Sequence, residues 1–255
     1  MKIPTDLLPF LKYLAAESGK IIKCYYRVNV TVETKADNSP VTIADKKTEE
    51  YLRESIMKEF PDHSILGEEF GETNPGAEYK WVLDPIDGTK SFISGTPLFG
   101  TLIALLHNNK PVLGAINLPV LNELLIGDNI STSLNDKTVK ARECDDISQA
   151  VLLTTDFKTY ETYKSRKALD NLISKVKMVR NWGDCYGYYL LATGYADIMI
   201  DPIMSVWDTM ALIPVIKGAG GIISDYKGGD AAKGTSIVAA SPGIHTKVIE
   251  VLNNI

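Results

Sequence analysis

Two aspartates lie close together in the segment Trp81–Lys90, which reads WVLDPIDGTK. Its apolar beginning is typical of a buried strand. Pro85 has no backbone N–H and favours an extended conformation at Asp84, so we expect the strand to end there. The turn that follows can direct the Asp84 carboxylate, the Ile86 carbonyl and the Asp87 carboxylate at one point. These hard oxygen atoms are the ligands that a divalent metal such as Mg²⁺ prefers.

The residues after the aspartates suit a phosphate group. Gly88 has no side chain, so a ligand can approach the backbone closely. If Thr89, Lys90 and Ser91 open a helix, its free N–H groups and positive dipole end favour an anion. Oxygen ligands for a metal beside an anion site are the equipment of metal-assisted phosphate ester hydrolysis.

Two other interpretations of this segment stay open. A strand followed by a type I turn favours aspartate for turn chemistry alone. Phosphatases with an aspartyl nucleophile carry an Asp-x-Asp pair after a strand, often followed by Gly-Thr. Here two residues separate Asp84 from Asp87, and several elements precede them. Both features argue against an aspartyl nucleophile.

Other acidic residues are placed where they can join this segment. Asp45 falls in the first turns of a predicted helix, where an acid also suits the helix dipole. Glu68 and Glu69 follow a short predicted strand one loop before Asp84, so a shared site is easy to form, although adjacent acids at a strand end are usually solvated. Asp208 begins a predicted helix, where capping is the simple interpretation.

Hydrophobic periodicity predicts the elements of the first half of the chain. Helices are expected over 5–26 and 41–60, and strands over 28–34, 64–67, 81–84, 99–107, 112–118 and 123–127. The polar loop 35–40 contains Lys35 and is either a mobile lid over a site or a surface connection. The second of these is the simpler interpretation.

The second half alternates strands with helices. Strands are expected over 151–155, 176–181, 196–200, 221–224 and 236–240, and helices over 160–175, 184–193, 207–217 and 244–253. Such alternation indicates a layered α/β arrangement. We place a boundary in the polar stretch 129–148, which divides the chain into an N-terminal α+β subdomain (1–140) and a C-terminal α/β subdomain (141–255) that carries Asp208.

Composition excludes several classes of function and points to one kind of metal. The net charge of −5 leaves no basic surface for nucleic acid, and no apolar run is long enough to span a bilayer. Three widely spaced cysteines fit a reduced, cytoplasmic setting better than a disulfide framework. The chain has only three histidines, none at metal-ligand spacing from a carboxylate cluster. This argues for an oxygen-rich magnesium site and against a zinc site.

The acidic motifs, in this order and spacing, resemble the inositol monophosphatase superfamily. The resemblance rests on Glu68, on DPIDGT at 84–89, and on Trp207-Asp208 followed by GAGG at 218–221. It also includes SPVTIAD at 39–45 and covers nearly the whole chain. It implies the layered α-β-α-β-α sandwich of the inositol monophosphatase/fructose-1,6-bisphosphatase type. It further implies a magnesium-dependent, lithium-sensitive phosphatase that forms a homodimer.

The resemblance also implies the metal ligands. Glu68, Asp84 and the Ile86 carbonyl are similar to the ligands of a first metal. Asp84, Asp87 and Asp208 are similar to the ligands of a second metal, with Asp84 bridging the two. A third, weaker metal near Glu68 is seen in such proteins. The expected ion is Mg²⁺, with Mn²⁺ as a substitute and Ca²⁺ and Li⁺ as inhibitors.

The remaining roles follow from the same resemblance. Glu68 and Thr89 are similar to the pair that orients and activates the attacking water, and Asp45 to a supporting acid near it. Gly88 and Thr89 would offer backbone N–H groups to the phosphate. Lys35 lies on what resembles the mobile loop over the metals.

The segment Trp182–Tyr188, which reads WGDCYGY, bears on the substrate. Inositol phosphatases usually carry Gly-Thr-Ala where this chain has Gly-Asp-Cys, and the change resembles the histidinol-phosphate phosphatase branch. The segment 91–105 points the same way, as does Asp201, where inositol-selective members tend to carry Glu. Asp184 and Asp201 could pair with the ammonium and imidazole of histidinol phosphate at the mouth of the site. Alternatively, Asp184 only caps its helix and Asp201 only ends a strand.

We therefore expect an enzyme that hydrolyses histidinol phosphate to histidinol, a step of histidine biosynthesis. Inositol 1-phosphate, or a broad range of sugar and polyol phosphates, is the alternative. No basic cluster for a second phosphate stands out, which argues against bisphosphate substrates. A non-catalytic member that binds metal or phosphate is an alternative of another class. The presence of the full set of acidic residues argues against that class.

Overall fold

The structure is a computed structural model that describes residues 6–28, 31–34 and 40–253. Lys35, the residue predicted to lie on a lid, falls outside these ranges, as does part of the predicted strand over 28–34. None of the helices in the described residues combines the length and apolar composition that a bilayer crossing requires.

The helices of the described residues begin close to the predicted positions. They are α1 (Leu7–Tyr25), α2 (Ile43–Glu59), α3 (Thr89–Ile93), α4 (Thr159–Tyr163), α5 (Arg166–Ile173), α6 (Asp184–Ala192), α7 (Val206–Gly218) and α8 (Pro242–Asn253). The single helix predicted over 160–175 is wrong. Ser165 has extended backbone and its hydroxyl accepts the amide of Ala168, so it caps a separate helix, α5.

The strands include several that the sequence did not predict. They are β1 (Val32–Thr34), β2 (Pro40–Thr42), β3 (Ser64–Gly67), β4 (Gly71–Thr73), β5 (Tyr79–Asp87), β6 (Gly100–His107), β7 (Lys110–Leu118), β8 (Glu123–Gly127), β9 (Thr132–Leu134), β10 (Lys137–Val139), β11 (Val151–Thr154), β12 (Met178–Arg180), β13 (Ile198–Asp201), β14 (Ile222–Ser224) and β15 (Ile237–Ala240). The additional strands are β2, β4, β9 and β10. Each is only three residues long, too short to show a periodicity of its own.

The strands form two main sheets and one small ladder. The larger sheet has eight strands in the order β10-β9-β8-β7-β6-β5-β3-β4, and the smaller has five in the order β12-β11-β13-β15-β14. The ladder joins β1 to β2. The division of the chain at residue 140 stays a prediction.

The predicted end of the strand at Asp84 is wrong. Strand β5 continues to Asp87, but its pairing with β6 shifts register: Asp84 lies opposite Leu102, and Asp87 lies opposite Gly100. Three residue steps on β5 therefore match two on β6, as in a β-bulge. Pro85 cannot donate to the ladder, which explains why the irregularity occurs here.

The elements stack in five layers. Helices α1 and α2 cover one face of the larger sheet, where Trp81 and Leu83 are buried against Leu11 and Leu52. Helices α6 and α7 fill the space between the two sheets. Helices α5 and α8 cover the outer face of the smaller sheet. The predicted α-β-α-β-α sandwich is confirmed.

Candidate active site

Three carboxylates converge between the larger sheet and the middle helix layer. Asp84 and Asp87 lie on the bulged end of β5, and Asp208 lies in the first turn of α7. One oxygen from each falls within 4.8 Å of the others. Asp208 also accepts the amide of Ser205 at 2.7 Å, so it caps α7 as well as facing the cluster.

The donor set fits a divalent cation. Asp84 is 2% exposed, and its Oδ1 has no hydrogen-bond partner among the described residues. A buried carboxylate oxygen without a donor is costly unless a cation satisfies it. The cluster contributes only carboxylate oxygens, which suit Mg²⁺, Mn²⁺ or Ca²⁺ better than softer metals.

The electrostatics of the cluster also favour a cation. Burial raises the pKa of Asp84 and of Asp87 well above the usual value, and neighbouring carboxylates, including Asp208, add to both shifts. Burial likewise raises the pKa of Asp208 to about 7. Ionising several buried carboxylates side by side is unfavourable unless a positive charge stands among them.

The residues predicted to handle the proton lie beside this cluster. The hydroxyl of Thr89 lies 3.0 Å from the carbonyl oxygen of Ile86 and 3.4 Å from Oδ1 of Asp45. The other oxygen of Asp45 accepts the amide of Thr42 at 2.8 Å, in the capping box of α2. Glu68 lines the same cavity as Thr89. Burial is the main cause of the raised pKa of Asp84, and the charge of Glu68 adds to it.

Two adjoining cavities lead to the acidic cluster. The outer one has a volume of about 350 Å³ and is bounded by Glu68, Gly88 and Thr89. The inner one, about 150 Å³, is bounded by Asp87 and Asp208. Both are also lined by Lys90, Thr155, Asp156 and Asp184. Their combined size suits a small ligand rather than a polymer.

Asp184 lies between the two cavities. It is the first residue of α6, and the N-cap position belongs to Gly183. Its amide donates to the Thr155 hydroxyl at 2.8 Å. Its Oδ2 lies only 3.0 Å from where a Cβ on Gly88 would stand, so the carboxylate packs directly over this turn. Burial raises the pKa of Asp184 to about 6, although Lys90 lowers it.

Sequence analysis predicted Asp201 at the mouth of the site, but the residue lies deeper. It is 3% exposed at the end of β13 and lines the inner cavity. The Tyr188 hydroxyl donates to its Oδ2 at 2.9 Å, and the Thr155 amide donates to its Oδ1 at 3.2 Å. Burial raises the pKa of Asp201 to about 7. Part of its hydrogen-bonding capacity is therefore already used within the protein.

Comparison with known proteins identifies the family. The model of the inositol monophosphatase family matches residues 4–255. The chain belongs to the inositol monophosphatase family. A chloroplastic bifunctional phosphatase, IMPL2, from Arabidopsis thaliana is 43% identical over 252 residues, covering 94% of this chain and 72% of that protein. A histidinol-phosphatase from Chlorobaculum parvum is 38% identical over 244 residues, covering 94% of both chains.

A solved structure agrees with the sequence relatives. An inositol monophosphatase from Zymomonas mobilis superposes with a TM-score of 0.88 at 34% identity, over 99% of both chains. This inositol monophosphatase family member is therefore an enzyme, a phosphatase of the hydrolase class. Its relatives act on small phosphorylated substrates. The predicted family, fold and enzyme class are confirmed.

Sequence reasoning missed some residues of the family member's site. Asp156 follows β11 and lines both cavities, and the amide of Cys185 donates to Oδ2 of Asp87. Asp156 could have been found from its position, since polar residues just beyond predicted strands often meet at one sheet edge. The contact of Cys185 had no signal of its own, because any residue supplies a backbone amide.

Proposed function

We propose that this protein is a magnesium-dependent phosphatase that hydrolyses histidinol phosphate to histidinol. The choice of substrate rests on the position of the Asp184 carboxylate, which packs over Gly88 and borders both cavities. Asp156 adds a second acid to the same walls, whereas Lys90 is the one cationic side chain among the described lining residues. Such a lining favours an ester whose alcohol part carries positive charge.

The Chlorobaculum parvum relative, a histidinol-phosphatase, supports the same substrate. Inositol 1-phosphate, or a broader set of polyol phosphates, is the second candidate. It is favoured by the Zymomonas mobilis structure, which is that of an inositol monophosphatase. The hydrogen bonds that Asp201 accepts from Tyr188 and Thr155 also favour this second candidate, because the carboxylate has less hydrogen-bonding capacity left for a cationic substrate.

Asp84, Asp87, Asp208, Glu68 and the Ile86 carbonyl would hold the metal ions. When bound, these ions supply positive charge that stabilises the phosphate in the transition state. We propose two to three Mg²⁺ ions per site, replaceable by Mn²⁺ and opposed by Ca²⁺ and Li⁺.

The residues of the chain then orient and deprotonate water. The Thr89 hydroxyl donates toward Asp45 or the Ile86 carbonyl, which leaves its lone pair free to accept a hydrogen bond from the water. The Glu68 carboxylate takes the water proton as the oxygen attacks phosphorus. The bond between phosphorus and the ester oxygen breaks, and the alcohol leaves with a proton from solvent. The amides of Gly88 and Thr89 donate to the phosphate oxygens.

The test is phosphate release with Mg²⁺, comparing kcat/KM for histidinol phosphate and inositol 1-phosphate on the same preparation. A large preference for histidinol phosphate supports the proposal and its place in histidine biosynthesis. A preference for inositol 1-phosphate retains the hydrolytic chemistry and assigns the second candidate. The homodimer, the cytoplasmic location and the lid role of Lys35 stay predictions.

A further inference from the structure

A buried ion pair lies on α2, one turn after Asp45. Glu49 Oε1 accepts Nε of Arg53 at 2.7 Å, and the two side chains are 0% and 8% exposed. Residues 45, 49 and 53 are spaced four apart, so they lie on one face of the helix. The spacing places each about 6 Å further along the helix axis, at 1.5 Å per residue.

This ion pair holds the turn between β3 and β4. Glu49 accepts the amide of Glu69 at 2.8 Å and the amide of Phe70 at 3.2 Å. Arg53 Nη2 donates to the carbonyl of Gly71. The pair therefore binds the backbone of three consecutive residues immediately after Glu68.

Glu68 is consequently held on both sides. Its own amide donates to the carbonyl of Leu83 at 3.2 Å, which ties it to the strand position just before Asp84. The next two amides along the chain are held by Glu49. The backbone that carries Glu68 is thus attached to β5 on one side and to α2 on the other.

The approach of Glu49 depends on Gly67. A Cβ at position 67 would stand 1.9 Å from Oε1 of Glu49 and 2.3 Å from its carboxyl carbon. Only glycine leaves room for the carboxylate directly beneath the end of β3. The fold therefore accommodates a buried charge at a place where an apolar side chain would leave the turn amides unpaired.

We propose that Glu49, held in place by Arg53, is a positioning residue for Glu68. It directs the Glu68 carboxylate toward Asp84 and Asp208 by fixing the backbone of the turn. An ion pair serves here because replacing it with apolar residues would leave two amides and a carbonyl without partners. The inference rests on the proposed role of Glu68 as a metal ligand and proton acceptor.

The test is Glu49→Gln, which keeps the size of the side chain but removes its charge and one acceptor oxygen. The apparent affinity for Mg²⁺ alone is measured by calorimetry, together with kcat and KM for the phosphate ester. We expect Mg²⁺ affinity and kcat to fall about 10- to 100-fold, the range typical of residues that orient a metal ligand. KM for the ester should change much less. Hydrogen exchange at the Glu69 and Phe70 amides should accelerate.

A second variant guards against simple misfolding. Arg53→Lys keeps the positive charge but not the forked geometry, so it should give a smaller loss of the same kind. If Arg53→Lys and Glu49→Gln both retain the parent Mg²⁺ affinity and kcat, the inference is wrong.

Asp197 provides a matched control. It is also a buried carboxylate paired with an arginine, accepting Nε of Arg142 at 2.6 Å and the amide of Val151 at 2.7 Å. It lies at the opposite end of β13 from Asp201. Asp197→Asn should lower Tm while leaving Mg²⁺ affinity unchanged. Glu49→Gln behaving like this control would reduce Glu49 to a stabilising residue and overturn the inference.

Glu68→Gln separates this inference from the proposed function. If Glu68→Gln weakens Mg²⁺ binding and Glu49→Gln does not, only the positioning role of Glu49 fails. If Glu68→Gln leaves Mg²⁺ affinity and kcat unchanged, the proposed role of Glu68 is wrong and the inference fails with it.

Discussion

Replacing Asp184 by asparagine tests the charge that we assign to substrate recognition. Asn has nearly the same shape as Asp, so the packing over Gly88 and the contact with the Thr155 hydroxyl, made by the backbone amide, should persist. What is lost is the negative charge between the two cavities. The substrate affected should therefore be the one that carries a positive charge.

The expected magnitude follows from the burial of the site. A hydrogen bond to a charged group contributes roughly 1.5–3 kcal/mol. Since about 1.4 kcal/mol corresponds to a factor of ten, kcat/KM for histidinol phosphate should fall about 10- to 100-fold. Inositol 1-phosphate, whose alcohol part is neutral, should change by less than about 3-fold, because it offers no cation to pair.

The pH dependence provides an independent check. Burial raises the pKa of Asp184 to about 6, a shift reduced by Lys90 and increased by Asp156. The charge is therefore present above this pH and is lost as the pH falls through it. Relative to Asp184→Asn, the preference of the parent enzyme for histidinol phosphate should decline between pH 8 and pH 5. In Asp184→Asn, the ratio of the two kcat/KM values should keep only the pH dependence that comes from the imidazole of histidinol phosphate, whose pKa is about 6.5.

The assay is phosphate release at saturating Mg²⁺ for both substrates, at each pH. Using the ratio of the two kcat/KM values removes the titration of the phosphate group, which both substrates share. Equal losses for the two substrates in Asp184→Asn would refute the charge-pairing argument. They would assign Asp184 a structural role at the start of α6.

Three further perturbations address the acidic cluster and the turn at Gly88. The pKa values of Asp84 and Asp87 are raised by burial, so the metal-free folded state binds more protons than the unfolded state. The contribution of these two carboxyls to stability should therefore fall as pH rises toward 8, and Mg²⁺ should restore it, as Tm measurements can show. Asp84→Asn should abolish turnover yet raise the metal-free Tm at pH 8. Gly88→Ala should cost about 1–2 kcal/mol, measured by denaturant unfolding, because φ is +88° there. It should also lower kcat/KM, since the methyl group would crowd the Asp184 carboxylate.

Each of these has a contrary outcome. A metal-free Tm at pH 8 that is no higher in Asp84→Asn than in the parent would show that the cluster is not destabilised by its own charges. Full turnover in Asp84→Asn would remove Asp84 from the metal site and refute the assignment of two metals to this cluster. Gly76→Ala is the control for Gly88→Ala, because Gly76 has φ +89° but open space around a Cβ. Equal catalytic losses in both variants would show that crowding at the site is not the cause.

Local patterns predicted much of the fold. The sequence predicted α1 because the buried apolar residues of a long amphipathic helix recur every three to four positions. The helices α4 and α5 were merged because the break at Ser165 depends on one cap. Short strands such as β4 were missed because three exposed residues carry no periodic signal.

The candidate site was predicted to a similar extent. Asp84, Asp87 and Asp208 were singled out from the sequence, and their carboxylates do converge. The mechanism of convergence was not foreseen, because a bulge in β5 brings the aspartates together rather than a turn that ends the strand. Asp201 was expected at the mouth but is buried at the end of β13, where it accepts a hydrogen bond from the Tyr188 hydroxyl of α6.

Whether a feature could be predicted from the sequence depends on how far apart in the chain the contributing residues lie. The strand that leads to Asp84, the turn at Gly88 and the helix start at Asp208 were predicted from residues within a few positions of one another, because near neighbours govern backbone conformation. Other features depend on residues far apart in the chain. They are the register of β5 against β6, the position of Glu49 beneath Gly67, and the contact of Asp184 with Gly88. Those contacts are set by the packing of whole layers against each other, and they exist only once the layers have assembled.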